Sequence, residues 1–253
     1  MPTRSFSTGV SLLLLSVTVL VSGCAQTKVA GRSATAIPSG VPVVATFSIV
    51  AYDEETESWG IAVQSKVVAV GAVVPWAQAG HGAVATQAHA NVAYGPDGLE
   101  MLAQGMSAQE VVDALVEADE NRDHRQVGVV DARGRAAAFT GERCMDWAGH
   151  RVGAGYCVQG NILAGEGVVD AMARAYEAAE GDFGDRLIDA LEAGQAAGGD
   201  RRGRQSASLY IVRAEAGYAG GNDRYRDVRV DDHETPIAEL RRVYHLHRRM
   251  FRD

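Results

Sequence analysis

The chain is short of almost everything that would tie it to a metal, a nucleic acid or a bilayer-spanning helix. Only three of its 253 residues are cysteines, Cys24, Cys144 and Cys157. No CxxC, HExxH or paired His–Cys spacing gathers metal-binding side chains, so neither a metal nor a cofactor is expected. Positive charge is also scarce: 24 Lys and Arg stand against 32 Asp and Glu, a formal net charge of −8. Binding a phosphate backbone needs clustered cations, and this balance argues against nucleic acid as a partner. No apolar run approaches the ~20 residues needed to cross a bilayer core. No repeat of solenoid period is present.

What the chain does have is a marked beginning. Arg4 supplies a positive start, Leu12 to Val21 an apolar segment, and Val21-Ser22-Gly23-Cys24 a small-residue ending before a cysteine. This pattern predicts a bacterial lipoprotein signal over residues 1–23, with Cys24 as the lipidated residue. The competing reading is a plain signal peptide that ends in cysteine. Lipidation would place the protein outside the cytoplasm and hold it on a membrane, because several acyl chains together give lasting anchorage. Ala25 and Gln26 bring no acidic retention signal. Losing residues 1–23 removes Arg4 and no carboxylate, so the mature chain is more acidic still.

Residues 24–44 carry Gln, Lys, Ser, Thr, Gly, Pro38 and Pro42 with no apolar periodicity until Val41, the composition of a flexible tether. A single domain follows over 45–253, its first apolar run starting near Val43 and its size sufficient for a full core. Within it, Cys144 and Cys157 form either a disulfide worth about 3 kcal/mol or two unpaired small apolar side chains.

Thr46–Tyr52 and Trp59–Gln64 are β-branched, apolar runs around a polar turn, a hairpin pattern. Between Lys66 and Ala93 glycines punctuate short strands. Ser107-Ala108-Gln109-Glu110 is a capping box that starts a helix over 107–119. Residues 126–131 and 135–140 make a second hairpin, and 156–160 another strand. Val168 to Tyr176 and Leu187 to Leu191 mark two helices stopped at Gly198-Gly199. Strands at 207–213 and 225–230 precede a final helix opened by Pro236, with Ile237, Leu240, Tyr244 and Phe251 on one face. Hairpins, a helix pair, more strands, another helix pair and a last hairpin do not fit a parallel sheet. They predict an α+β fold of two antiparallel sheets packed face to face with helices outside, a four-layer αββα sandwich.

Read in order, Thr46 to Ala51, Gly60 to Lys66, Gly71 to Ala77, Gln126 to Asp131, Gln159-Gly160-Asn161 and Gly199 to Ala207 resemble the DUF1028 family over roughly 46–247. That family looks like the N-terminal nucleophile (Ntn) hydrolases, whose αββα sandwich agrees with the element order. In cytoplasmic relatives this strand follows the initiator Met directly, so Met removal would leave the equivalent of Thr46 as the first residue. The resemblance thus implies Thr46 as nucleophile and, through its freed α-amine, as base. Lys66, a lysine just past the second strand, would tune that amine.

Here, however, Thr46 lies inside the chain. Self-cleavage at Ala45–Thr46, cleavage by another protease and no cleavage at all are the three outcomes. The first two allow an amidohydrolase or peptidase acting on a small amide or peptide. The third leaves a catalytically silent ligand-binding or envelope-associated domain.

Around Thr46 the further candidates are Asn161 as an oxyanion donor, and Asp200 or Ser206 to orient the nucleophile. Arg201, Arg202 or Arg204 would grip a substrate carboxylate. Each has a plain alternative, a helix cap for Asn161 and an Arg–Asp turn network for 200–206. His81, His89, His150 and His233 read as satisfied histidines, and Trp76 and Tyr94 as core aromatics. The arginines of the last helix form a basic face, solvated or turned to anionic lipid. Homodimerisation is an expectation by analogy with Ntn relatives.

Overall fold

In the computed structural model, the described residues are 1–2, 43–44 and 46–251. Residues 3–23 of the lipoprotein signal, Cys24, the tether as far as Pro42, and Ala45 lie outside them. The chain divides into two units, 1–30 and 31–253, and the second carries the fold. Among the described residues no helix is long and apolar enough to cross a membrane.

Among the described residues, ten strands and five α-helices build this unit. The first sheet has the order β10-β9-β2-β1-β8-β7, from β1 (Thr46–Asp53), β2 (Ser58–Ser65), β7 (Gly149–Gly153), β8 (Tyr156–Gly160), β9 (Ser206–Val212) and β10 (Arg224–Val230). The second has the order β3-β4-β5-β6, from β3 (Pro75–Gln78), β4 (Gly82–Ala88), β5 (Arg125–Asp131) and β6 (Ala136–Thr140). All pairings are antiparallel.

Strand alternation sorts β1 between two cores. Phe47, Ile49 and Ala51 face α3 (Gly167–Ala178), α4 (Phe183–Ala196) and α5 (Pro236–Met250), in a core with Leu187, Leu191 and Leu240. Val50 points the other way and joins Ile61, Val63, Ala83, Ala85 and Val130 between the sheets. A third core holds α1 (Tyr94–Ala103) and α2 (Ala108–Glu117) against the outer face of the smaller sheet. The result is the four-layer αββα sandwich. Gly128 lets its layers meet, because a Cβ there would lie 2.7 Å from Cys157 Sγ across the sheet interface.

The capping box forms as its sequence implies: Ser107 Oγ accepts from Glu110 N, and Glu110 Oε2 accepts from Ser107 N at 2.8 Å. Asp131 Oδ2 adds an acceptor for Ala108 N at 3.1 Å, an anion at the positive end of α2. Helix α1 and strand β7 are elements that no pattern located. Gly95-Pro96-Asp97-Gly98 is rich in residues that favour turns, yet it lies in a helix in which Gly95 packs under Trp76, where a Cβ would meet the ring at 2.2 Å. Phe251 departs from its assigned face: it lies beyond the end of α5 and is 39% exposed. Two arginines of the basic face of α5 are spent on α4, Arg241 bound to Asp185, Asp189 and Glu192 and Arg248 to Asp185, while Arg242 pairs with Glu239 of its own helix.

Cys144 and Cys157 are free thiols, both buried. Burial pushes them up to about 11 and about 12 respectively, which makes both poor nucleophiles.

At the end of β4 and β5 a buried ion pair joins the segments around the small sheet. Arg125 Nε donates to Asp119 Oδ2 at 2.9 Å, with both side chains almost wholly shielded. Asp119 also accepts from Asn91 Nδ2 and Tyr94 OH. Burial works to raise the Asp119 pKa, but hydrogen bonds from Arg125, Asn121 N and Asn91 outweigh it and the net shift is downward. A depressed folded-state pKa contributes stability above the ordinary carboxylate range, and that contribution disappears as pH falls through the folded value. Asp119→Ala is expected to cost about 3–5 kcal/mol at pH 7, since it strands a buried guanidinium. Urea unfolding of both proteins at pH 7 and in acid is the check, and the gap between them should narrow in acid.

Candidate active site

Thr46 opens β1, the strand flanked by β2 and β8, so neighbouring backbone meets it from both sides. Ser65 is its register partner on β2. On the other side Asn161 N, just past β8, donates to Thr46 O at 3.0 Å. Thr46 is fully buried and shares the inter-sheet face with Ser48 and Val50 by alternation. Its Oγ1 donates to Val44 O at 2.8 Å and lies 3.4 Å from Ser65 Oγ. Neither partner is a base.

Behind Thr46 the inter-sheet layer turns polar. Gln87 Nε2 donates to Thr46 O at 3.3 Å and to Gln126 Oε1 at 2.7 Å, while its Oε1 accepts from Ser48 Oγ at 2.7 Å. Gln126 Oε1 also accepts from Asn161 Nδ2 at 2.9 Å. The Gln126 Nε2 group is shared among Thr140 Oγ1, Gly149 O and Gly160 O. His150 Nδ1 lies 2.9 Å from that Thr140 hydroxyl. Gln159 Nε2 donates to Ala85 O at 3.0 Å. Two acceptors here, Gln159 Oε1 and Asn161 Oδ1, have no protein partner. Such orphans in a buried polar site are positions for ordered water or a ligand donor.

The 200–206 loop closes the same end of the sheet. Asp200 is buried and holds Arg202: its Oδ1 accepts from Arg202 N at 2.9 Å, and its Oδ2 from Nη2 at 2.8 Å. Arg202 Nη1 reaches Val43 O at 3.5 Å. Arg201 spends its guanidinium on Asp146 O. Arg204 is exposed. A groove of about 740 Å³ runs along the loop, lined by Gln195, Asp200, Arg201, Arg202, Arg204 and Thr235.

Of the residues proposed from sequence, Thr46, Asn161 and the Asp200–Arg202 pair are brought to one strand end. Others are placed differently. Lys66 is exposed, and its Nζ donates to Arg204 O at 3.4 Å, while Ser65 is the β2 side chain that approaches Thr46 Oγ1. Asn161 caps no helix and gives its amide to Gln126. The Ser206 hydroxyl accepts from Val70 N at 3.1 Å and donates to Val67 O, so it pins the 67–70 turn. The alternative reading of 200–206 as an Arg–Asp turn network thus describes the Asp200–Arg202 pair.

Ser48, Gln87, Gln126 and Gln159 carry the polar layer without having been singled out. Their signal is a polar side chain at an inward position of an otherwise apolar strand, visible only once the facing strand is known. Gln64 is a different case. It faces the helices, fully buried, and both atoms of its amide lack partners.

The architecture defines the class of protein: an αββα sandwich whose most polar interior surrounds the head of its first strand. The model of DUF1028, described as a family of unknown function, matches residues 46–240, and the chain belongs to that family. The crystal structure of protein SPO2555 from Silicibacter pomeroyi, described with the same family model, is 30% identical. That match covers 81% of this chain and 89% of that one, with a TM-score of 0.74. Anbu, an ancestral beta-subunit from Yersinia bercovieri, aligns at 11% identity and a TM-score of 0.37, over 80% of this chain and 94% of that one. Comparison with curated proteins finds no match.

Two buried glutamines should respond oppositely to an apolar replacement. Gln126→Leu strands several buried donors and acceptors at ~1–3 kcal/mol each, so a loss above ~3 kcal/mol is expected. Gln64→Met removes a polar group that pairs with nothing, and stability should hold or rise. Denaturant midpoints of the two variants against wild type decide this.

Proposed function

We propose that the domain is a threonine amidohydrolase or peptidase of the Ntn type, made as a lipoprotein precursor and acting outside the cytoplasm on a small amide or peptide. The carrying observation is Thr46 itself: a hydroxyl on the inter-sheet face at the head of the first strand, with amide donors packed behind it. In the intact chain its nitrogen is a peptide nitrogen and no base touches Oγ1. Release of Thr46 from Ala45 supplies what is missing, because the new α-amine has an ordinary pKa near 8 and lies on the same residue as the hydroxyl.

The reaction then follows a double displacement. Oγ1 attacks the substrate carbonyl while the α-amine takes its proton. That proton passes to the departing amine, and water hydrolyses the resulting ester. Lys66, the only lysine beyond Thr46 in the sequence, is positioned one residue past the register partner of Thr46. It acts at a distance as a positive charge that lowers the amine's pKa. Arg204, exposed on the adjacent groove, is the group for a substrate carboxylate, with Arg201 beside it offering the guanidinium donors that Asp146 O does not take. Release at Thr46 also frees the domain from its lipid anchor at Cys24, so processing and detachment are one event.

A second reading is supported by the geometry of Lys66. Its amine is bonded to Arg204 O and turned away from a sealed Thr46, the state expected of a silent ligand-binding domain on a membrane tether.

Thr46→Ala and Thr46→Ser separate these readings on a panel of small amides. The enzyme reading expects Thr46→Ala to lose at least ~10³-fold in kcat/KM, and Thr46→Ser to keep measurable activity. Unchanged hydrolysis in Thr46→Ala would remove Thr46 from the mechanism. Lys66→Met adds a pH readout: with the cation gone, the amine's pKa rises and the acidic limb of the rate profile moves to higher pH.

A further inference from the structure

The residues just upstream of Thr46 are built into the domain, and they are held as a ligand would be. Val44 and Ala88 exchange two backbone hydrogen bonds, Val44 N to Ala88 O at 2.9 Å and Ala88 N to Val44 O at 3.0 Å. The pairing is an isolated antiparallel bridge, so Val44 is added beside Ala88, the last residue of β4. The Val44 side chain is 8% exposed and joins the inter-sheet apolar cluster with Val63, Val74 and Ala85. Arg202, itself fixed by Asp200, reaches the carbonyl of Val43. Ala88 holds the left-handed conformation, φ 65°, uncommon for a residue with a Cβ and a feature of ligand clamps.

These contacts use the features of strand addition: backbone hydrogen bonds for affinity and a side-chain pocket for selectivity. Val43 and Val44 precede Ala45, whose carbonyl forms the bond to Thr46. They therefore mark the acyl side of any peptide presented to the Thr46 hydroxyl. We infer that Ala88, Arg202 and the apolar pocket beneath Val44 form a peptide-binding subsite. It takes an extended, uncharged segment with a valine-sized residue two positions before the scissile bond, and the protein's own Val43–Val44 is its first occupant. This rests on the hydrolase reading for its catalytic meaning but not for its binding chemistry.

The test uses the full chain carrying Thr46→Ala, which cannot process itself. The probe is acetyl-Val-Val-Ala-amide, and the readout is hydrogen exchange at the Ala88 amide. With Val44 in place the Ala88 amide should be protected and the peptide should not bind. Val44→Asp puts a carboxylate into the apolar pocket and should expel the segment, speeding Ala88 exchange at least ~100-fold. Added peptide should then restore protection with a Kd in the range of about 1 μM to 1 mM. The same peptide with Asp in place of its second Val should not.

Val44→Gly empties the pocket without adding charge and should give the same result if Val44→Asp does not fold. Fast exchange that no peptide slows would overturn the inference, as would continued protection of Ala88 in both variants. Equal binding of the Asp-containing peptide would overturn the pocket. None of these outcomes requires catalysis, so a chain that never hydrolyses an amide still tests the subsite.

Discussion

The hydrogen bonding at the head of β1 is the constraint on which the rest depends. Thr46 O receives Asn161 N and Gln87 Nε2, and Thr46 Oγ1 is fastened to Val44 O. Through those groups one residue is tied to β8, to the opposite sheet and to its own upstream chain. The carboxamide of Gln126 locks the arrangement by holding Gln87 and Asn161 together on one oxygen. A buried polar network of this kind fixes geometry only while its donors are matched, and two unmatched acceptors, on Gln159 and Asn161, mark where it opens to something else.

Chemistry and packing point in opposite directions at this spot. In the intact chain Thr46 is wholly buried, its hydroxyl occupied and its nitrogen acylated. On the hydrolase proposal, breaking the Ala45–Thr46 bond would free an amine on Thr46, and departure of the upstream segment from its bonds to Ala88 would then uncover the hydroxyl. On that proposal the upstream residues act as a plug, and their contacts describe the molecule that would replace them.

Much of the fold was legible from sequence because its elements are locally consistent. The β1–β2 hairpin alternates between two apolar faces, the capping box at Ser107 closes as its four residues dictate, and Pro236 starts α5. Helix α1 was not legible, since its Gly-Pro-Asp-Gly core is stabilised by packing against Trp76, which only the tertiary structure supplies. The site was legible in part. Motifs located Thr46, Asn161 and Asp200, but a side chain's direction depends on partners far away in sequence. Lys66 turns to Arg204, Ser206 pins a turn, and the glutamines of β4, β5 and β8 form one layer only after two sheets stack. The fate of Cys144 and Cys157 was open for the same reason: their separation along the chain is small, and the fold buries them apart, Cys157 in the inter-sheet apolar cluster and Cys144 with its Sγ donating to Arg125 O.

The central claim is that Thr46 becomes a free N-terminus. Intact-mass analysis of protein isolated from its native membrane and surrounding fluid tests this most directly, with N-terminal sequencing of each species. The account expects a species that begins at Thr46, without lipid, to carry all of the amide-hydrolysing activity. Hydrolysis by a population in which every molecule retains the Ala45–Thr46 bond would contradict it.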